Sequence, residues 1–164
     1  MNIDLILETF NRHNVRYLLI GGVNFLLRHA PILTYDVDLW IEDTDSNCLR
    51  CEAALADLVA EWGPTEETWG FTSTLPPGWL SRQSICCMSS SAGAIDVFRY
   101  VAGLDNWQSS FDNSVIEQTA SGVSYHGLSD SDMLLCQYAL DPPYQKAHRI
   151  AALKSALNIP ESLP

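Results

Sequence analysis

The chain is poor in cations. Two Lys and seven Arg stand against twenty Asp and Glu in 164 residues, and the formal net charge is −11. Binding duplex nucleic acid requires a basic footprint that displaces counterions from the phosphates, and no Lys/Arg-rich run supplies one, so duplex nucleic acid is not an expected partner. A nucleotide stays compatible with this acidity, because divalent cations neutralise its phosphates. Long apolar runs are missing as well: nothing approaches the ~20 residues that a membrane helix needs. The opening MNIDLILETFNRHN carries Asp4 and Glu8 where a signal peptide would carry Lys or Arg, so a cytoplasmic protein without a membrane partner is predicted. An even set of cysteines is absent too. The five present, Cys48, Cys51, Cys86, Cys87 and Cys136, fit free thiols in a reducing compartment rather than a disulfide framework. With no repeat, low-complexity tract or linker, one domain over residues 1–164 is expected.

What is present reads as a folded α/β protein: 47% hydrophobic and 18% charged residues argue against disorder. Ile3, Ile6, Leu7 and Phe10 recur at helical spacing. VRYLLI (15–20) is a short apolar run ended by Gly21-Gly22, a buried strand stopped by a turn, and VNFLLRHA then looks helical. YDVDLWI is a second strand. The run from Thr44 to Trp62 reads as a helix with its cap among residues 44–46, stopped at Gly63-Pro64. Loop with one short strand is expected over 63–83, with Trp62, Trp69 and Trp79 helping to cover the core. SICCM and AIDVFRYV form two further strands, a helical piece follows near 103–112, and SVIEQT with VSYHGL suggests a peripheral hairpin. Two helices split by Pro142-Pro143 close the chain, a helical part covering about 129–158.

Chemistry concentrates in TYDVDLWI. In a strand, Asp36, Asp38 and Trp40 point one way while Val37, Leu39 and Ile41 point the other. The two carboxylates lie ~6.6 Å apart along the strand, where unit charges repel by about 2 kcal/mol at an effective dielectric of ~20. A solvated strand end absorbs that cost in water; in a cleft, a hard divalent cation such as Mg²⁺ (or Mn²⁺) absorbs it better. Gly21-Gly22 lies between strand and helix, where free backbone N–H groups suit a phosphate, although a tight connection alone also explains it. Asp96 interrupts the apolar strand GAIDVFRY. Beside residues 36–41 with matching facing it becomes a third carboxylate; alternatively it pairs with Arg99 or Arg82.

The ordered combination, Gly-Gly followed by Thr34-x-Asp36-x-Asp38 and later by Asp96 in a strand, resembles the nucleotidyltransferase fold of the DNA polymerase beta superfamily. Within it, LIGGVNFLLRHAPILTYDVDLWI is similar to small bacterial proteins that include minimal nucleotidyltransferases and type IV toxin–antitoxin toxins. The resemblance covers residues 15–42 well and reaches Asp96. It implies a mixed sheet flanked by helices. Asp36, Asp38 and Asp96 would be the catalytic and metal-binding residues, and Gly21, Gly22, Asn24, Thr34 and Lys146 would bind a nucleoside triphosphate. The implied reaction moves a nucleoside monophosphate to a hydroxyl acceptor: a small molecule, a protein or an RNA end. The alternative is an inactive protein of this fold that binds a nucleotide or an antitoxin-like protein partner. Two departures stand out: Ile32 occupies a place often held by Arg, and Gln137 one often held by Lys, with Lys146, His148 and Arg149 left to serve the phosphates.

Two rival features carry less. Cys48-x-x-Cys51 with Cys86-Cys87 suggests zinc, but one pair lies in a predicted helix and the other is vicinal on a strand, so core thiols are expected. His29 and His126 have no partner spacing for a hydrolase triad.

Overall fold

The acid-bearing strand lies near the middle of a six-stranded mixed sheet. The computed structural model describes residues 1–160. Its elements are α1 (Ile3–Arg12), β1 (Tyr17–Leu19), α2 (Gly21–Arg28), β2 (Asp36–Ile41), α3 (Asp45–Asp57), β3 (Glu61–Trp62), β4 (Gly70–Phe71), β5 (Ile85–Met88), β6 (Ala94–Phe98), α4 (Trp107–Asp112), β7 (Val115–Gln118), β8 (Ser124–Gly127), α5 (Asp130–Ala139) and α6 (Ala147–Ala156). The main sheet runs β5-β6-β2-β1-β8-β7, and β3 with β4 makes a separate ribbon. β2 is antiparallel to β1 and parallel to β6, so the predicted neighbourhood of the two acid-bearing strands is observed.

Side chains placed at the helix starts close the exposed backbone N–H groups there. Asn2 accepts from Leu5 N at 3.1 Å, Thr44 from Asn47 N at 3.3 Å and Ser129 from Asp132 N at 3.2 Å. The alternation within the strands then divides the interior in two. Leu19, Val37, Leu39, Ile41, Ile95 and Val97 meet α1 and α3 on one face, through Ile6, Phe10, Cys51 and Leu55. Leu18, Trp40 and Phe98 meet Phe25, Met133 and Leu153 on the other. Helix α2 feeds both cores, Val23 to the first and Phe25 to the second.

Three expectations are corrected. The helix from Thr44 ends at Asp57 instead of reaching Trp62: Val59 adopts φ +53°, and Glu61–Trp62 pairs with β4. The 115–128 hairpin is peripheral only through β7, an edge strand; β8 joins the main sheet, pairing with β1 in parallel through Leu19 and Gly127. Of the middle tryptophans, Trp79 is buried and stacks on Trp62 at 5.1 Å, whereas Trp69 is exposed. Among the described residues, no helix is long and apolar enough to cross a membrane.

The loop before β5 is tied down by one buried carboxylate. Glu52, on α3, accepts from Gly78 N at 3.0 Å and Leu80 N at 2.9 Å, which seats Leu80 fully in the first core. Removing it strands two backbone donors, one of them buried. Glu52→Ala is therefore expected to lower unfolding free energy by about 2–4 kcal/mol in urea titrations, whereas Glu66→Ala, at an exposed position, leaves the midpoint unchanged.

Candidate metal and phosphate site

The register of the central strands brings the acids together. Asp38 and Asp96 are direct partners across the parallel β2/β6 pair, and Asp36 precedes Asp38 by one same-face step. One carboxylate oxygen from each of Asp36, Asp38 and Asp96 lies within 4.8 Å of the other two. Neither Arg99 nor Arg82 neutralises Asp96: Arg99 pairs with Asp43 at 2.6 Å and donates to the carbonyls of Ser81 and Gln83. Among the described residues, no Lys, Arg or His forms an ion pair within 4.0 Å of any of the three acids.

Convergence without a bound cation costs energy. At an effective dielectric of ~20, two unit charges at this separation repel by about 3 kcal/mol. Burial, followed by repulsion from Asp36 and Asp96, pushes the Asp38 carboxyl up to about 7; burial also raises Asp96, where a hydrogen bond from Cys87 works in the opposite direction. Three oxygen donors that converge without an ion-paired cation suit a hard divalent ion such as Mg²⁺ or Mn²⁺.

The glycine turn lies directly beside the acids. Gly21 takes φ +65°, and a Cβ there would collide with the Asp38 carboxylate. A Cβ on Gly22 would collide with the Thr34 side chain. Both glycines are therefore required by the approach of α2 to β2. Gly22 N donates to Asp38 Oδ2 at 3.4 Å, and Thr34 Oγ1 donates to Asp36 Oδ1 at 3.3 Å. Thr34 thus holds one acid and limits the space over the turn.

Two expected nucleotide contacts fall elsewhere. Asn24 is fully buried; its amide donates to Leu128 O at 2.9 Å and to Met133 Sδ at 3.2 Å, so it ties α2 to the start of α5 and does not face the acids. Lys146 is exposed at the start of α6, with its backbone N–H donated to Gln137 Oε1 at 3.0 Å. The cation beside the acids is Arg149, one turn further on. It lines a cavity of about 160 Å³ with Gly21, Asp38, Phe98, Gln137 and other residues, and its guanidinium lies over Phe25 at 5.6 Å. Its Nε is buried without a hydrogen-bond partner. Burial works against its charge, while Asp38 and Asp36 favour it. Ile32 is packed against the second core, so position 32 supplies no charge to the site.

The rival features resolve simply. Cys48, Cys51 and Cys86 are buried, and the three acids form the metal-type cluster among the described residues. Cys87 is a correction to the core-thiol reading. It is exposed, sits opposite Asp96 on β5, and burial together with Asp96 pushes its thiol up to about 11, which keeps it protonated near neutrality. His29 bonds Asp130 at 2.9 Å and His126 meets Ser114 Oγ at 3.0 Å, each in a separate structural role. No family model and no curated protein matches the chain.

The raised acids set a pH dependence. Because Asp38 keeps its proton in the folded state up to about 7 but loses it near 3.8 when unfolded, folding stability falls as pH rises between those values and levels off above. The loss is on the order of 4 kcal/mol. In chelator, the melting temperature is expected to drop from pH 5 to pH 8. Millimolar Mg²⁺ should restore it more at pH 8 than at pH 5, and Asp38→Asn should flatten the slope. A metal-free melting temperature independent of pH would refute the convergence of the acids.

Proposed function

We propose that the chain is a divalent-metal-dependent nucleotidyltransferase that moves a nucleoside monophosphate from a triphosphate to a hydroxyl acceptor. One observation carries the reading: Asp36, Asp38 and Asp96 converge without an ion pair to any base, next to a glycine turn and to Arg149, whose buried Nε has no hydrogen-bond partner. The resemblance of residues 15–42 to the DNA polymerase beta superfamily supports the same chemistry.

Mg²⁺ or Mn²⁺ held by the three carboxylates would supply charge neutralisation for the phosphates. The chain's own groups do the rest. The glycine turn admits the phosphates close to the backbone, and Arg149 pairs with their oxygens. Asp96 accepts the proton of the attacking hydroxyl. An O–P bond forms at the α-phosphorus as the bond to the bridging oxygen breaks, and pyrophosphate leaves with the electron pair. Rate enhancement would come from positioning and electrostatics.

A second reading is a nucleotide-binding or antitoxin-partnered protein that has lost transfer. It is favoured by the uncharged Ile32 and by the Gly22 N–H already being engaged with Asp38. Titration calorimetry with each nucleoside triphosphate, with Mg²⁺ and in excess chelator, tests both. The first reading expects metal-dependent binding that is lost in Asp36→Asn/Asp38→Asn, and pyrophosphate release once an acceptor is supplied. Arg149→Ala should weaken triphosphate binding about 10- to 100-fold, the contribution of a hydrogen-bonded charge. Equal binding in chelator would defeat the metal role, and tight binding without pyrophosphate release from any acceptor would favour the second reading.

A further inference from the structure

The second face of the sheet is organised in rows across the strands. Cys87, Asp96 and Asp38 are in register across β5, β6 and β2, and Ile20 N meets Asp38 O on the far side at 3.0 Å. The next row, ~6.6 Å further along the strands, is wholly apolar: Ile85 pairs with Phe98, Phe98 with Trp40 and Trp40 with Leu18. An acid row therefore abuts an apolar row with no polar row between them.

Above the β5–β6 end of the apolar row lies a second cavity of about 320 Å³, formed by Ile85, Phe98, Tyr100, Ala102 and Leu140, among others. Phe98, Val101 and Cys136 also wall the Arg149 cavity, so the two cavities adjoin across these side chains. The volume is in the range that accepts a small molecule. No charged side chain lines the second cavity, and its rim leaves Ile85 48%, Tyr100 62% and Leu140 39% exposed to water.

The two sides of the acid cluster differ in chemistry. On the β1 side stand the glycine turn and Arg149, which suit phosphates. On the β5 side stand Asp96 and the apolar groove. No cation there can hold an anionic polymer, and no carboxylate among the groove's lining residues draws a polycation. We infer that this groove takes the acceptor of the transfer reaction, an uncharged molecule with an apolar body whose hydroxyl lies against Asp96 and whose body covers Phe98 and Ile85. This rests on the nucleotidyl-transfer reading and adds the class of its acceptor. The hydroxyl proton passes to the Asp96 carboxylate as its oxygen bonds the α-phosphorus, and pyrophosphate leaves.

Straight-chain alcohols from 1-butanol to 1-octanol are the probes, titrated by calorimetry into the full chain with Mg²⁺ present. The dissociation constant is expected to fall about fourfold per methylene, the factor for burying a CH₂. Ile85→Lys and Ala102→Trp, both at exposed positions, should weaken 1-hexanol at least tenfold and leave Mg²⁺–triphosphate affinity unaltered. A flat alcohol series alongside metal-dependent triphosphate binding overturns the acceptor class and leaves the transfer reading intact. If the two substitutions weaken triphosphate and spare the alcohol, the groove holds the nucleoside and the inference is wrong. Sedimentation showing a dimer that Ile85→Lys dissociates, with no alcohol bound, makes the groove a contact between copies and likewise overturns it. Alcohol binding without any metal-dependent triphosphate binding removes the transfer reading and the acceptor with it.

Discussion

The parallel pairing of β2 with β6 is the constraint from which the site follows. It sets Asp38 opposite Asp96, residues 58 positions apart along the chain, and it fixes the facing of both strands at once. Because side chains alternate strictly, a one-residue slip would carry Val37, Leu39, Ile95 and Val97 out of the first core. Those four residues are each at most 1% exposed. The register is therefore held by apolar burial on one face, of order 2 kcal/mol per large side chain, and the acids on the other face inherit their positions from it. Repulsion of about 3 kcal/mol between a pair of carboxylates is small against that sum, so the fold can hold the charge cluster without an ion pair to any of the three acids.

A second constraint acts at the end of β1. Helix α2 must bury Val23 in one core and Phe25 in the other, which draws its first turn onto β2. Nothing larger than hydrogen fits at positions 21 and 22 once Asp38 and Thr34 are in place. The two glycines thus serve packing: their missing Cβ atoms let the first turn of the helix lie directly against Asp38 and Thr34. Arg149 completes the arrangement from α6, reaching the cavity because its stem and guanidinium lie along Phe25.

The sequence disclosed the acid cluster because both strands carry their own alternation: Val37-Asp38-Leu39 and Ile95-Asp96-Val97 state which face each acid occupies before any pairing is known. It disclosed the strand-turn-helix at Gly21-Gly22 for a similar local reason. What it hid was long-range. Asn24 and Arg149 are polar residues on helices, and only the tertiary packing decides that Asn24 turns inward to Leu128 while Arg149 turns toward the acids. Lys146 looked equivalent to Arg149 in sequence; the start of α6 falls between them and turns one outward. The end of α3 was hidden too, since the left-handed residue there is Val59, a β-branched side chain that gives no turn signal. The attachment of β8 to the main sheet rests on one parallel pair, Leu19 with Gly127, and no local pattern encodes that partner.

The distribution of charge gives the site a directional character. With a net charge of −11, the chain repels an anion that approaches unaccompanied, and the cleft offers Arg149 as its lining cation. On the proposed reading, a triphosphate carrying its divalent ion would meet the opposite field: the ion would be drawn to three carboxylates that no ion pair neutralises, and the phosphates would follow it toward the glycine turn. Metal and nucleotide affinity would then be coupled, each raising the other by the same factor as linkage requires. The acidity that argues against nucleic acid would become, for a metal-bound nucleotide, a source of selectivity. On the β5 side the groove has no charged lining residue, so mainly apolar groups would recognise whatever stands opposite the phosphates.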